Sequence, residues 1–113
     1  MQMLPKYRKP IHPGEILWED FLHPLGVSQI EFVRHLGGTW TQPKLSSIIR
    51  GKRAITEAIA LDLADALGTS PEFWINLQID TNLWEAKKGR RKIRRYPKLK
   101  PQARRKKRKH QSI

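Results

Sequence analysis

The chain contains no cysteine, which excludes a disulfide framework and any thiolate metal site. No apolar run approaches the roughly 18 residues a membrane helix needs. The opening stretch, MQMLPKYRKPIHPGE, lacks the apolar centre of a signal peptide. These absences lead one to expect a cytoplasmic protein with no membrane partner. The four histidines, His12, His23, His35 and His110, include no i, i+4 pair for a metal. No nucleophile elbow, P-loop or dinucleotide fingerprint occurs. Asp62 and Asp65 stand one turn apart, but a solvated helix face explains them better than catalysis. The expectation is therefore no enzyme, no metal and no cofactor.

Acid is also missing from both ends of the chain, since all ten Asp and Glu lie between Glu15 and Glu85. The net charge of +13 over 113 residues suggests a polyanionic partner. Its distribution qualifies that suggestion. Residues 1–86 hold eight Lys and Arg against ten acids, a net of −2, whereas residues 87–113 hold fifteen cations and no acid, a net of +15. Overall charge thus says little about the folded part, whose partners must be read from particular residues.

Helix signals recur along the middle of the chain. Pro13 suits a first helical position, and Ile16, Leu17, Phe21 and Leu22 make an apolar stripe, so a first helix is expected over about 13–23, stopped by Pro24. Ser28 and Glu31 form a capping box for a second helix over about 28–36, closed by Gly37-Gly38. Thr41 caps a short third helix over about 42–50, with Leu45, Ile48 and Ile49 inward and Gly51 after it. Thr56 caps a fourth helix to Leu67, with Ile59, Leu63, Ala64 and Leu67 inward. Ser70-Pro71-Glu72 opens a fifth to about Lys87. No stretch longer than four residues alternates with period two, so no strand is expected. The fold class is all-α: a five-helix domain over 12–87, between an N-terminal arm (1–11) and a basic C-terminal tail (88–113). The tail has too few apolar residues to offset its chain entropy and is expected to be disordered in isolation.

Two helices joined by a glycine-containing turn, the second short and polar outside, form a helix-turn-helix pattern. Such a second helix fits the DNA major groove. Gln42, Lys44 and Ser47 supply on its outer side the groups that bond base edges. Thr41 at the cap, Gln29 at the start of helix 2, and Lys52 and Arg53 after helix 3 are placed for phosphates. Arg50, also on the outer side, joins the phosphate set. The bland alternative is a helical bundle that never touches DNA, with Lys52 and Arg53 as solvated charges.

The segments HPGEIL, LGVSQ, GKRAIT, ALGTSPEFWINLQ and NLWEA resemble the HigA/VapI type of addiction-module antitoxin, within the XRE-like, phage-repressor-like helix-turn-helix class. The resemblance spans about residues 10–87, and GTSPEFWINLQ is its most specific part. It implies a repressor-like domain, a homodimer, and double-stranded operator DNA with an inverted repeat. It also implies a partner toxin of the RelE-like ribonuclease class and repression of the protein's own operon. By position, the groove-reading stretch falls on Thr41, Gln42, Lys44 and Ser47. Two departures stand out. The turn LGGTWTQPK is about two residues longer than is usual for the family, leaving the approach angle of helix 3 open and two places for Trp40: plugging the turn or packing on the DNA backbone. The other departure is the basic tail, which suits phosphate contact, a segment that folds on the toxin or on RNA, or a solvated charge run.

Phe73, Trp74, Ile75, Leu77, Ile79, Leu83 and Trp84 present more apolar surface than one helix can bury against a small domain. Phe73, Trp74, Leu77, Leu83 and Trp84 are therefore the expected dimer interface. Two other functions stay open: a stand-alone, prophage-type transcriptional repressor, and a basic RNA- or ribosome-associated protein dominated by its tail.

Overall fold

A computed structural model describes residues 9–98. Residues 1–8 of the expected arm and 99–113 of the expected disordered tail lie outside the described residues. Among the described residues there are five helices and no strand. Helix α1 covers residues 13–25, and α2 is Gln29–Leu36, α3 Gln42–Ile49, α4 Glu57–Leu67 and α5 Pro71–Lys87. None of them is long and apolar enough to cross a membrane.

Local chemistry explains where the helices begin. The side chains of Ser28, Thr41, Thr56 and Ser70 each accept a hydrogen bond from the backbone N–H three residues on. Glu31 returns the contact by accepting from the Ser28 N–H at 3.1 Å, which completes the capping box. His12 caps α1, its Nδ1 accepting from the Glu15 N–H at 3.3 Å.

Helix α1 departs from the sequence expectation at its end. It runs through Pro24 to Leu25 and stops at Gly26, whose φ is 68°. The reason is a π-helical stretch, Leu17–Leu22, between α-helical turns at Pro13–Ile16 and His23–Leu25. Within it hydrogen bonds reach five residues back, as from the His23 N–H to the Trp18 carbonyl. The wider turn accommodates the Pro24 ring that would clash with a preceding α-turn. The same stretch brings Leu17 and Leu22 to one face, and both are fully buried. At 3.6 residues per turn they would stand about 140° apart.

The core lies where the helices meet. Leu17 and Leu22 of α1, Leu45 and Ile48 of α3, Leu63 of α4 and Trp74 of α5 are its fully buried large side chains. Helix α1 packs against α3 and α5, α2 against α3, and α4 against α5. Phe21 of α1 meets Trp74 at a centroid distance of 5.4 Å and Phe73 edge-on at 6.3 Å.

The contact between α1 and α3 is unusually close. A Cβ built on buried Gly14 would stand 1.8 Å from the Ile48 carbonyl oxygen, so a side chain there would push the two backbones apart. Gly14→Ala is expected to cost about 1–3 kcal/mol, the range for overpacking a tight interior. In a domain of this size each kcal/mol lowers Tm by about 4–8 °C. Thermal unfolding of the variant checks this, and an unchanged Tm would mean the helices can separate freely.

Candidate nucleic-acid interface

The pair α2 and α3 carries the residues that sequence reasoning assigned to DNA. The turn between them uses two consecutive positive φ values, 66° at Gly37 and 56° at Gly38, a backbone path that side-chain-bearing residues rarely follow. The Trp40 N–H then donates to the Gly37 carbonyl at 3.0 Å, closing the turn. Of the two places open to Trp40, the structure takes the inner one. The residue is 7% exposed, and its indole N–H donates to Oδ2 of Asp62 on α4 at 2.7 Å. Burial of an indole is favourable only if its N–H finds an acceptor, and Asp62 provides it. The longer turn is thus filled by its own tryptophan and fastened to a third helix. Asp62 therefore does more than the solvated role expected of it.

Helix α3 rests on Leu45 and Ile48 and turns its other side outward. Gln42 is exposed at its first turn, and its Nε2 donates to Oε1 of Gln29 at 2.8 Å. Sequence reasoning placed these two side chains separately, whereas the structure joins them. The bond consumes one amide hydrogen of Gln42. Its second N–H and its carbonyl stay available, which is the pair an adenine edge requires. Thr41, exposed at the cap, accepts from the Lys44 N–H at 3.2 Å.

Lys44 and Ser47 are less open than the sequence suggests. The Lys44 ammonium lies 4.2 Å from the centroid of the Trp40 ring. Such a contact is worth only about 0.5–1 kcal/mol near the surface, so a guanine edge can compete for it. Ser47 is half-buried, and its carbonyl accepts from the N–H groups of Lys52 and Arg53 at 2.8 and 3.2 Å. Those two bonds fold the chain back after α3 and set both cations, exposed, beside the helix end. Arg50 is exposed as well, its Nε donating to the Ser46 carbonyl at 3.4 Å.

The loop after α3 has an anchor that sequence reasoning missed. Oε1 of Gln78 on α5 accepts from the Ile55 N–H at 2.8 Å, and its Nε2 donates to Oδ1 of Asn82 at 3.0 Å. Ile55 is buried, so its N–H needs that acceptor. Periodicity offers no signal for such a contact, because the acceptor lies 23 residues away in the chain. Charge reinforces the arrangement. Between Glu31 and Glu57 the sequence holds no acid and five cations, Arg34, Lys44, Arg50, Lys52 and Arg53. The domain is slightly acidic overall, yet the segment carrying α3 is entirely basic.

One of the interface residues expected on α5 is misplaced. Trp74 is 0% exposed and its indole N–H donates to Oγ1 of Thr69 at 2.7 Å, so it belongs to the core of its own chain and cannot meet a partner. Leu77 packs partly buried against that core. Phe73 at 39% and Leu83 at 52% remain exposed, along with Ile79. Trp84 is half-buried, and its indole nitrogen is enclosed with no acceptor among the described residues.

The contact between Trp40 and Asp62 can be isolated by a double-mutant cycle on Trp40→Phe and Asp62→Ala. A hydrogen bond to a charged acceptor is worth about 1.5–3 kcal/mol, and a coupling energy of that order is expected from urea unfolding. Strict additivity of the two substitutions would show that the bond contributes nothing.

Comparison with known proteins extends this picture. No family model matches the chain. Antitoxin HigA-1 of Vibrio cholerae is 35% identical over 80 residues, covering 71% of this chain and 73% of that protein. An uncharacterized HTH-type transcriptional regulator of Haemophilus influenzae is 37% identical over 84 residues, covering 74% and 77% of the two chains. Among solved structures, the Pseudomonas aeruginosa antitoxin HigA with the higBA promoter superposes with a TM-score of 0.63 at 38% identity, over 68% of this chain and 82% of that one. An all-α chain with a glycine turn before a capped, outward-facing α3, and more than a third of its aligned residues shared with HigA-1, belongs to the HigA-type helix-turn-helix antitoxin family.

Proposed function

We propose that this protein is a cytoplasmic, homodimeric antitoxin that binds an inverted-repeat operator, represses its own operon and neutralises a RelE-like ribonuclease toxin. The observation that carries the DNA-binding part is the outer side of α3. It presents Gln42 with a free amide hydrogen and carbonyl, within a segment that has five cations and no acid. On this reading Thr41, Gln42, Lys44 and Ser47 face base edges. Gln29, Arg50, Lys52 and Arg53 hold phosphates, which fix the register of the domain on the duplex. Lys44 leaves the Trp40 ring when it engages a base. The exposed apolar residues of α5, Phe73 and Leu83 with Ile79, support a second copy as the partner of that face. Two half-sites about 34–36 Å apart would follow.

A stand-alone repressor is the second reading, favoured by a relative described only as a transcriptional regulator. Gene neighbourhood and rescue of growth separate the two. An antitoxin is expected to be cotranscribed with a small basic protein whose expression alone arrests growth, and co-expression of this chain should relieve the arrest. A solitary gene, with no rescue from any toxin of that class, would leave only the repressor.

Base readout and phosphate contact make different demands on variants. Gln42→Ala is expected to cost about 1–3 kcal/mol on the operator and to relax the choice of base at one position. Lys52→Ala should weaken operator and random duplex alike and reduce the salt slope by about 1. Competition binding over a range of salt concentrations reads both. If Gln42→Ala lowers affinity equally for operator and random DNA, Gln42 does not read bases.

A further inference from the structure

We propose that residues 88–98 form a second DNA-binding element, an extended cationic arm that grips the phosphates of the duplex flanking the operator. This rests on the reading of α3 as the operator-binding helix. After α5 the described chain forms no helix or strand, and every residue from 85 to 98 is exposed. Seven of the eleven residues in 88–98 are Lys or Arg and none is acidic. Among the described residues the one ion pair is Lys88 with Glu85, at the root of the arm. Arg90, Arg91, Arg94 and Arg95 thus have no carboxylate partner among the described residues.

A run of one sign repels itself and stays extended until a polyanion neutralises it. Arginine suits that partner, since its planar fork matches phosphate oxygens and it enters narrow minor grooves readily. A solvated surface would mix signs, whereas the arm has cations alone.

Reach selects flanking duplex as the partner. The loop that carries Lys52 and Arg53 is tied to α5 at Gln78. Lys88 follows ten residues later, roughly 15 Å along the helix axis. Beyond Gly89, nine extended residues span up to about 30 Å, more than the distance back to that anchor. A domain seated on its operator therefore holds the arm beside the adjoining phosphates at an effective concentration near the millimolar range. An RNA would have no such tether and would compete at its own dilute concentration.

The test compares the full chain with a variant carrying Arg90→Gln, Arg91→Gln, Arg94→Gln and Arg95→Gln. All four sites are exposed, so the melting temperature should not change. Two duplexes from upstream of the gene serve as probes: one trimmed to the inverted repeat, and one extended by roughly 10 bp, a helical turn, on each side. On the extended duplex the variant should bind more weakly. Its salt slope should be shallower by up to about 3.6 per bound protomer, from about 0.9 per phosphate contact. On the trimmed duplex the two proteins should bind alike. Equal slopes on the extended duplex, or equal losses on both lengths, would overturn the proposal. So would a loss confined to an RNA hairpin probe. Selectivity of the unmodified chain for the inverted repeat over a scrambled duplex is read in parallel. Its absence would remove the role given to α3, while the length dependence would still decide the arm.

Discussion

A helix of eight residues has almost no stability of its own in water, because the cost of nucleation is spread over too few hydrogen bonds. The outward-facing helix α3 is such a helix, and only Leu45 and Ile48 on its underside are buried. Its position therefore depends on bracing from elsewhere. Leu45 and Ile48 hold its underside in the core. Trp40, bonded to Asp62, holds its beginning against α4. At its end the Ile48 carbonyl lies against Gly14 of α1, and the returning loop is tied to α5 through Gln78. Helices α1, α4 and α5 thus each fix a different part of α3. Much of the remaining fold acts to hold a short, polar-sided segment rigidly at the surface.

The five helices were legible because their boundaries are set by local chemistry. A hydroxyl three residues before a backbone N–H, and a glycine where φ turns positive, are patterns within a few positions of one another. The core positions of α3 and α4 were legible for a similar reason, since their apolar residues repeat at the α-helical period. Helix α1 was misread at Pro24 because a π-helical stretch is a tertiary outcome: it places Leu17 and Leu22 together in the core, and no local signal announces it. Trp74 was misread for the converse reason. Helix α5 is apolar on several sides, and its sequence does not say which side meets the domain.

The residues proposed to face DNA were chosen by position, and their connections were not legible. Contacts between Gln29 and Gln42, Trp40 and Asp62, and Ile55 and Gln78 span 13, 22 and 23 residues. Each joins polar groups whose partners become visible only after the helices have packed. The charge pattern gives a related lesson. A net charge of −2 over the first 86 residues conceals an acid-free segment from Phe32 to Thr56, so local sign carries information that the total removes.

The π-helical stretch of α1 has a mechanical consequence. Inserting wider turns changes the rotational phase of a helix partway along its axis, so the two ends of α1 address different neighbours. Its first turn presents Gly14 to the end of α3, and its later turns present Phe21 to Phe73 and Trp74 of α5. Phe73 is also part of the exposed apolar face. One rod therefore bears on both the end of α3 and the exposed apolar side of α5.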